Sequence, residues 1–143
     1  MSRHGNIGVK IIVILTLLIS AVLAFLFRQE IVDRIVALQY KPSSDIVALA
    51  DKTTMNDKGR LLFYVARPQL DSSSSFNEDC ERQEKGNAIL GCYRAGKIYI
   101  YDIKDQRLSG IKEVTAAHEM LHVAYERLSN GENACIDELL EAE

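Results

Sequence analysis

The chain has 143 residues, enough for about one domain, with 48% hydrophobic and 26% charged residues and a formal net charge of −3. That average conceals a partition. All 20 acidic residues follow residue 27, and Arg3 and Lys10 give the first 27 residues a charge of +2, leaving −5 on the remainder. A uniformly soluble protein is excluded, as is disorder, which needs low hydrophobicity throughout. The acidic body carries no basic stripe, which argues against nucleic acid as a partner, since that binding rests on cationic phosphate contacts.

Residues 11–27 are an unbroken apolar run with Thr16 and Ser20 as its only polar members, and Ile7, Gly8 and Val9 extend it behind Lys10. A spanning helix needs about 20 such residues. Val22-Leu23-Ala24 offers the small-residue chemistry of a removed signal peptide, but Phe25-Leu26-Phe27 carry the run past it. Length favours a retained anchor. Arg3 and Lys10 precede it, so the positive-inside bias places residues 1–10 in the cytoplasm and residues 28–143 outside the cell membrane, as a single-pass protein. Cys80, Cys92 and Cys135 then all lie on the oxidising side. Cys80 and Cys92 could close a short loop as a disulfide or stand as separate thiols, and Cys135 is expected to pack on a helix as a small hydrophobe.

The body is expected to be α+β. Residues 28–41 read as a juxtamembrane helix ended by Pro42, and Ser43, Ser44 and Asp45 can cap a second helix from Ile46. Asn56-Asp57 opens a third element whose short apolar run, Leu61 to Val65, leaves helix or strand open. Residues 68–77, with four serines in a row, read as a loop. Residues 88–93 and 97–103 read as strands joined through Arg94-Ala95-Gly96, a three-residue hairpin connection with a bulge. In the second strand Ile98, Ile100 and Asp102 share one face, and Lys97, Tyr99, Tyr101 and Ile103 the other. Ser109-Gly110 opens a strong helix to about Leu128, and Ser129 or Asn130 caps another. That last helix runs to residue 143 without a glycine or proline stop, as in a chain that continues.

The chemistry concentrates at His118-Glu119-Met120-Leu121-His122. Two histidines four apart lie on one helical face, where both imidazoles can bind one zinc ion. Glu119 sits beside the first and can reach a water without being a ligand. The bland alternative is two histidines on a solvated face; the apolar flanks Ala116, Ala117, Met120, Leu121, Val123 and Ala124 argue that such a pair would lack partners unless something binds it.

This segment resembles the zincin metallopeptidases, whose signature is His-Glu-x-x-His, and the likeness extends through Thr115, Ala116, Val123 and Ala124. The resemblance implies a small zincin-like domain over 28–143, a zinc cofactor on His118 and His122, Glu119 as general base, and a peptide or protein substrate. The metzincin branch would need glycine at 125 and histidine at 128, where this chain has Tyr125 and Leu128. The gluzincin branch draws a glutamate from a following helix. Glu138, Glu141 and Glu143 are the residues in reach, or the ligand lies beyond residue 143. Ile136, Leu139 and Leu140 mark that helix's expected buried face, with Glu138 and Glu141 roughly opposite. In the family the strand before the active-site helix is commonly an edge strand that pairs with substrate, which points to 97–103, with plain sheet core as the alternative. Tyr125 is expected to pack, with a hydrogen bond as the alternative. A membrane-tethered, non-catalytic interaction protein that keeps a zincin-like fold is the reading from another class; oligomeric state is not legible.

Overall fold

The N-terminal apolar run becomes one helix, α1 (Gly5–Leu26), in the computed structural model, which describes residues 5–80 and 89–142. Ile7–Leu26 has a mean hydropathy of 2.8 and is long and apolar enough to cross a membrane. Thr16 and Ser20 do not interrupt it, because each hydroxyl donates to the carbonyl four residues back, at 2.9 Å to Ile12 and 2.8 Å to Thr16. Their polarity is satisfied inside the helix, so neither needs water. Helix α2 (Arg28–Gln39) follows, with Arg34 and Glu30 paired at 2.8 Å one turn apart. The chain divides into two compact units, Met1–Ile35 and Val36–Glu143.

The second unit is mixed α and β, mostly helical, around a sheet of three strands among the described residues. Ser43 caps α3 (Ser44–Lys52) by accepting from the Ile46 amide, and Asn56 caps α4 (Asp57–Val65) by accepting from the Gly59 amide at 2.8 Å. The element left open between helix and strand is therefore a helix. Its cap satisfies the Gly59 amide of the first turn, while Leu62 and Phe63 reach the core.

Residues 68–77 are not a loop. They hold strand β1 (Gln69–Asp71) and the start of helix α5 (Ser73–Asp79). The serines occupy the exposed first turn of α5, and Phe76 anchors it as a buried ring. Strand β1 pairs in parallel with a strand nearly thirty residues on, which no local pattern could announce.

Strands β2 (Gly91–Arg94) and β3 (Lys97–Tyr101) form the expected hairpin; Ala88 lies outside the described residues. Its connection is shorter than expected. Arg94 pairs with Lys97, so only Ala95 and Gly96 turn, at φ 51° and 75°. Two successive positive φ values describe the tight turn that matches the twist of a two-stranded ribbon. The strand order is β1-β3-β2, which puts β3 in the centre. Its alternation is as read: Ile98 and Ile100 join Ile46, Leu49, Leu62, Phe63, Ala116 and Val123, while Tyr99 packs with Phe76 and Cys80 on the opposite side. Burying side chains of this size is worth roughly 1.5–3 kcal/mol each.

Helix α6 (Ile111–Tyr125) crosses β2 and β3 and packs on α3 and α4, whereas α5 covers the other side of the sheet. Helix α7 (Asn130–Glu141) starts from a reciprocal cap between Ser129 and Glu132. Cys80 and Cys92 are joined as a disulfide, with Cα atoms 6.0 Å apart, tying the end of α5 to β2. Cys135 does not pack; it is exposed on α7. The same is true of that helix's expected buried face. Leu139 and Leu140 are exposed, Ile136 is only partly buried, and no residue of α7 is fully buried.

Candidate metal and catalytic site

Helix α6 turns one stripe inward and another outward. Ala116, Glu119 and Val123 are buried at helical spacing, whereas Val114, His118, Leu121, His122 and Tyr125 are exposed. The four-residue spacing brings the two imidazoles together as expected. Their ring centroids are 5.0 Å apart and their planes nearly perpendicular, at 83°. Both rings are exposed, so water can satisfy their nitrogens. The apolar flanks therefore do not enclose the pair, and the expectation that unbound histidines would lack partners is corrected.

Glu119 is set apart from them in environment. It is 5% exposed, on the side of α6 that faces β2. Burial pushes its carboxyl above the usual carboxylate range, and neighbouring His118 pulls the other way. A buried carboxylate displaced towards neutrality has the property a proton carrier needs.

The third protein ligand is not supplied by α7. Among the described residues no group of three or more His, Cys, Asp and Glu side chains is placed to hold a metal ion, so Glu138 and Glu141 do not join the histidines; Glu143 lies outside the described residues. The residue of α7 that reaches back is Asp137, which accepts a hydrogen bond from the Tyr125 hydroxyl at 2.8 Å. Tyr125 thus clasps α7 to α6 instead of packing. The two imidazoles offer two donors of a kind zinc takes, and no third side chain among the described residues joins them.

Residues 97–103 are not at a sheet edge. Strand β3 is flanked by β1 and β2, so its backbone groups are taken up on both sides, and the strand beneath Glu119 with one unpaired side among the described residues is β2. A hydrophobic alternation with both faces covered marks a central strand, and only the pairing partners reveal it.

Two features near the site went unread in the sequence. Tyr93 on β2 donates to Glu126 at 2.5 Å, and burial together with that carboxylate pushes its phenol up to about 12. Gly91 lies directly under Glu119. A glycine inside a strand pattern is itself a sign of close backbone approach, so that signal was present. A cleft of about 230 Å³ opens at the other end of α6, lined by Asp45, Lys52, Asp102, Lys112 and Glu113 among others. Its charges answer one another, with Lys112 on Asp102 at 3.0 Å and Lys52 by Glu113 at 3.7 Å, so it reads as an ionic clasp on the first turn of α6.

No family model, curated protein or solved structure matches the chain.

Proposed function

We propose that the protein is a zinc-dependent metallopeptidase of gluzincin-like type, anchored in the cell membrane by its N-terminal helix with the body outside. The observation that carries this reading is the pairing of two adjacent exposed imidazoles with a buried, proton-poised carboxylate one residue away on the same helix. His118 and His122 would hold the zinc. A zinc ion bound there supplies Lewis acidity, polarising a scissile carbonyl and acidifying a nearby water. Glu119 takes the proton from the attacking water and delivers it to the leaving amine. The open side of β2 is suited to receive an extended peptide by backbone pairing. Arg3 and Lys10 ahead of the span favour a cytoplasmic N-terminus.

The test is hydrolysis of fluorescein-labelled casein by the full chain in detergent with added zinc. Parent protein should cleave it, and Glu119→Gln should not, because glutamine keeps the shape but cannot accept the proton. Equal cleavage by both would remove the assignment.

One observation favours a second reading, a non-catalytic tethered interaction protein. Leu121, Leu139 and Leu140 are exposed, and the histidine pair has no third protein ligand among the described residues. That protein would neither retain zinc nor cleave casein.

A further inference from the structure

We infer that Gly91 is the positioning residue for Glu119: the missing side chain in β2 leaves the space that the buried carboxylate occupies on the inner face of α6. This rests on the metallopeptidase reading and names a part of its machinery on a different element. A Cβ built on Gly91 would overlap Thr115 Cγ2 and stand 2.8 Å from Glu119 Oε1 and 3.0 Å from Glu119 Cγ. Real Cβ contacts essentially never come that close, so something must move. The requirement is one of space, since Gly91 does not occupy the left-handed region, where L side chains are strained. Any residue could therefore adopt its backbone.

What moves is Glu119. Strand β2 is held on both sides of the contact: Gly91 is paired with fully buried Ile100, and the next residue, Cys92, is fixed to Cys80 by the disulfide. Helix α6 is held by Ala116 and Val123, both fully buried in the core. The glutamate side chain has the free torsions, so an added methyl group turns the carboxylate out of the space beside Gly91. Displacing a catalytic group by about 1 Å can cost roughly 100-fold in rate. His118 and His122 are on the exposed face of α6, and neither supplies any of the three atoms nearest a Cβ at residue 91, so the pair is expected to stay in place.

The experiment compares Thr115→Ser with the double variant Gly91→Ala, Thr115→Ser in the full chain. Serine removes the Cγ2 that the new methyl would overlap, which leaves Glu119 as the remaining obstruction. Zinc per chain, thermal unfolding, and kcat and apparent KM on fluorescein-labelled casein are read together. The expected result is a kcat lowered at least tenfold, with KM and zinc content equal to those of Thr115→Ser. Equal kcat in the two variants would overturn the inference, and so would a loss of zinc alongside the loss of rate, since Gly91 would then serve the helix as a whole. Absence of both zinc and cleavage in the parent is a different outcome: it removes the metallopeptidase reading itself, and this inference with it.

Discussion

The inner and outer faces of α6 are both rich in apolar residues, yet they stand in opposite surroundings. Ala116 and Val123 are fully buried against the sheet, while Val114 and Leu121 are 70% and 59% exposed. A helix that only covered a sheet would carry polar residues outside. This helix departs from that pattern on both faces: an acid is buried on the inner one, and the two histidines share the outer one with exposed Val114 and Leu121. Burial thus separates a carboxylate from a histidine pair one residue away, and hydrophobicity alone would not reveal it.

The sharpest break between the faces is at Glu119. Replacing it with glutamine should lower hydrolysis by roughly 100- to 10,000-fold, the range a lost general base commands. The same change should raise stability in the metal-free chain at neutral pH. The folded-state pKa lies above the unfolded value, so whatever this carboxyl contributes is full below its unfolded pKa and is lost as pH rises through the folded one. At pH 7 the buried charge is a cost, and glutamine removes it. Thermal unfolding of the two proteins in chelator reads the difference; equal midpoints would deny that the burial matters.

Next in size is the contrast between Val123 and Leu121. Val123→Ala should cost about 2 kcal/mol, through lost burial and the cavity left behind. Leu121→Ala removes more atoms but should stay within about 0.5 kcal/mol, since its side chain has no packed surroundings. Urea unfolding of the pair measures this directly, and equal losses would mean that something covers the outer face.

Tyr93 gives a smaller, pH-gated effect at the edge of the inner face. Its phenol rises from 10.0 to about 12 on folding. The stability it contributes is complete below pH 10 and drains away as pH climbs to about 12. Tyr93→Phe should therefore flatten that alkaline loss without removing it, because Tyr40 is also pushed up to about 12 by burial and by Tyr64. Unfolding midpoints at pH 9 and pH 11 give the slope. The smallest effect is a control remote from α6: Ala95→Gly should stabilise by about 0.5 kcal/mol, because alanine at φ 51° carries left-handed strain that glycine does not.

Much of this fold was legible because its signals are local. The apolar run of α1, the caps Ser43 and Asn56, and the alternation at Ile98 and Ile100 each depend on a few neighbouring residues. The hairpin turn at Ala95-Gly96 and the start of α5 were local misreadings; the other errors involve long-range partners. Strand β1 exists because Leu70 and its neighbours pair with β3, and three-residue strands have no period to detect. The central place of β3 follows from that same pairing. The apolar side of α7 was legible as a pattern, but a pattern cannot say whether anything lies against it. At the site, the spacing of His118 and His122 predicted their contact, whereas the burial of Glu119 depends on Gly91, nearly thirty residues earlier.

The central claim is that the outer face of α6 binds zinc while the inner face moves protons. Its most direct measurement is zinc content, by elemental analysis, of the purified full chain and three variants. The account predicts one zinc per chain in the parent and in Glu119→Gln, and none in His118→Ala or His122→Ala. Those two variants should also unfold within about 0.5 kcal/mol of the metal-free parent, as exposed positions do. A parent chain that retains no zinc, or one whose zinc survives loss of both histidines, would contradict it.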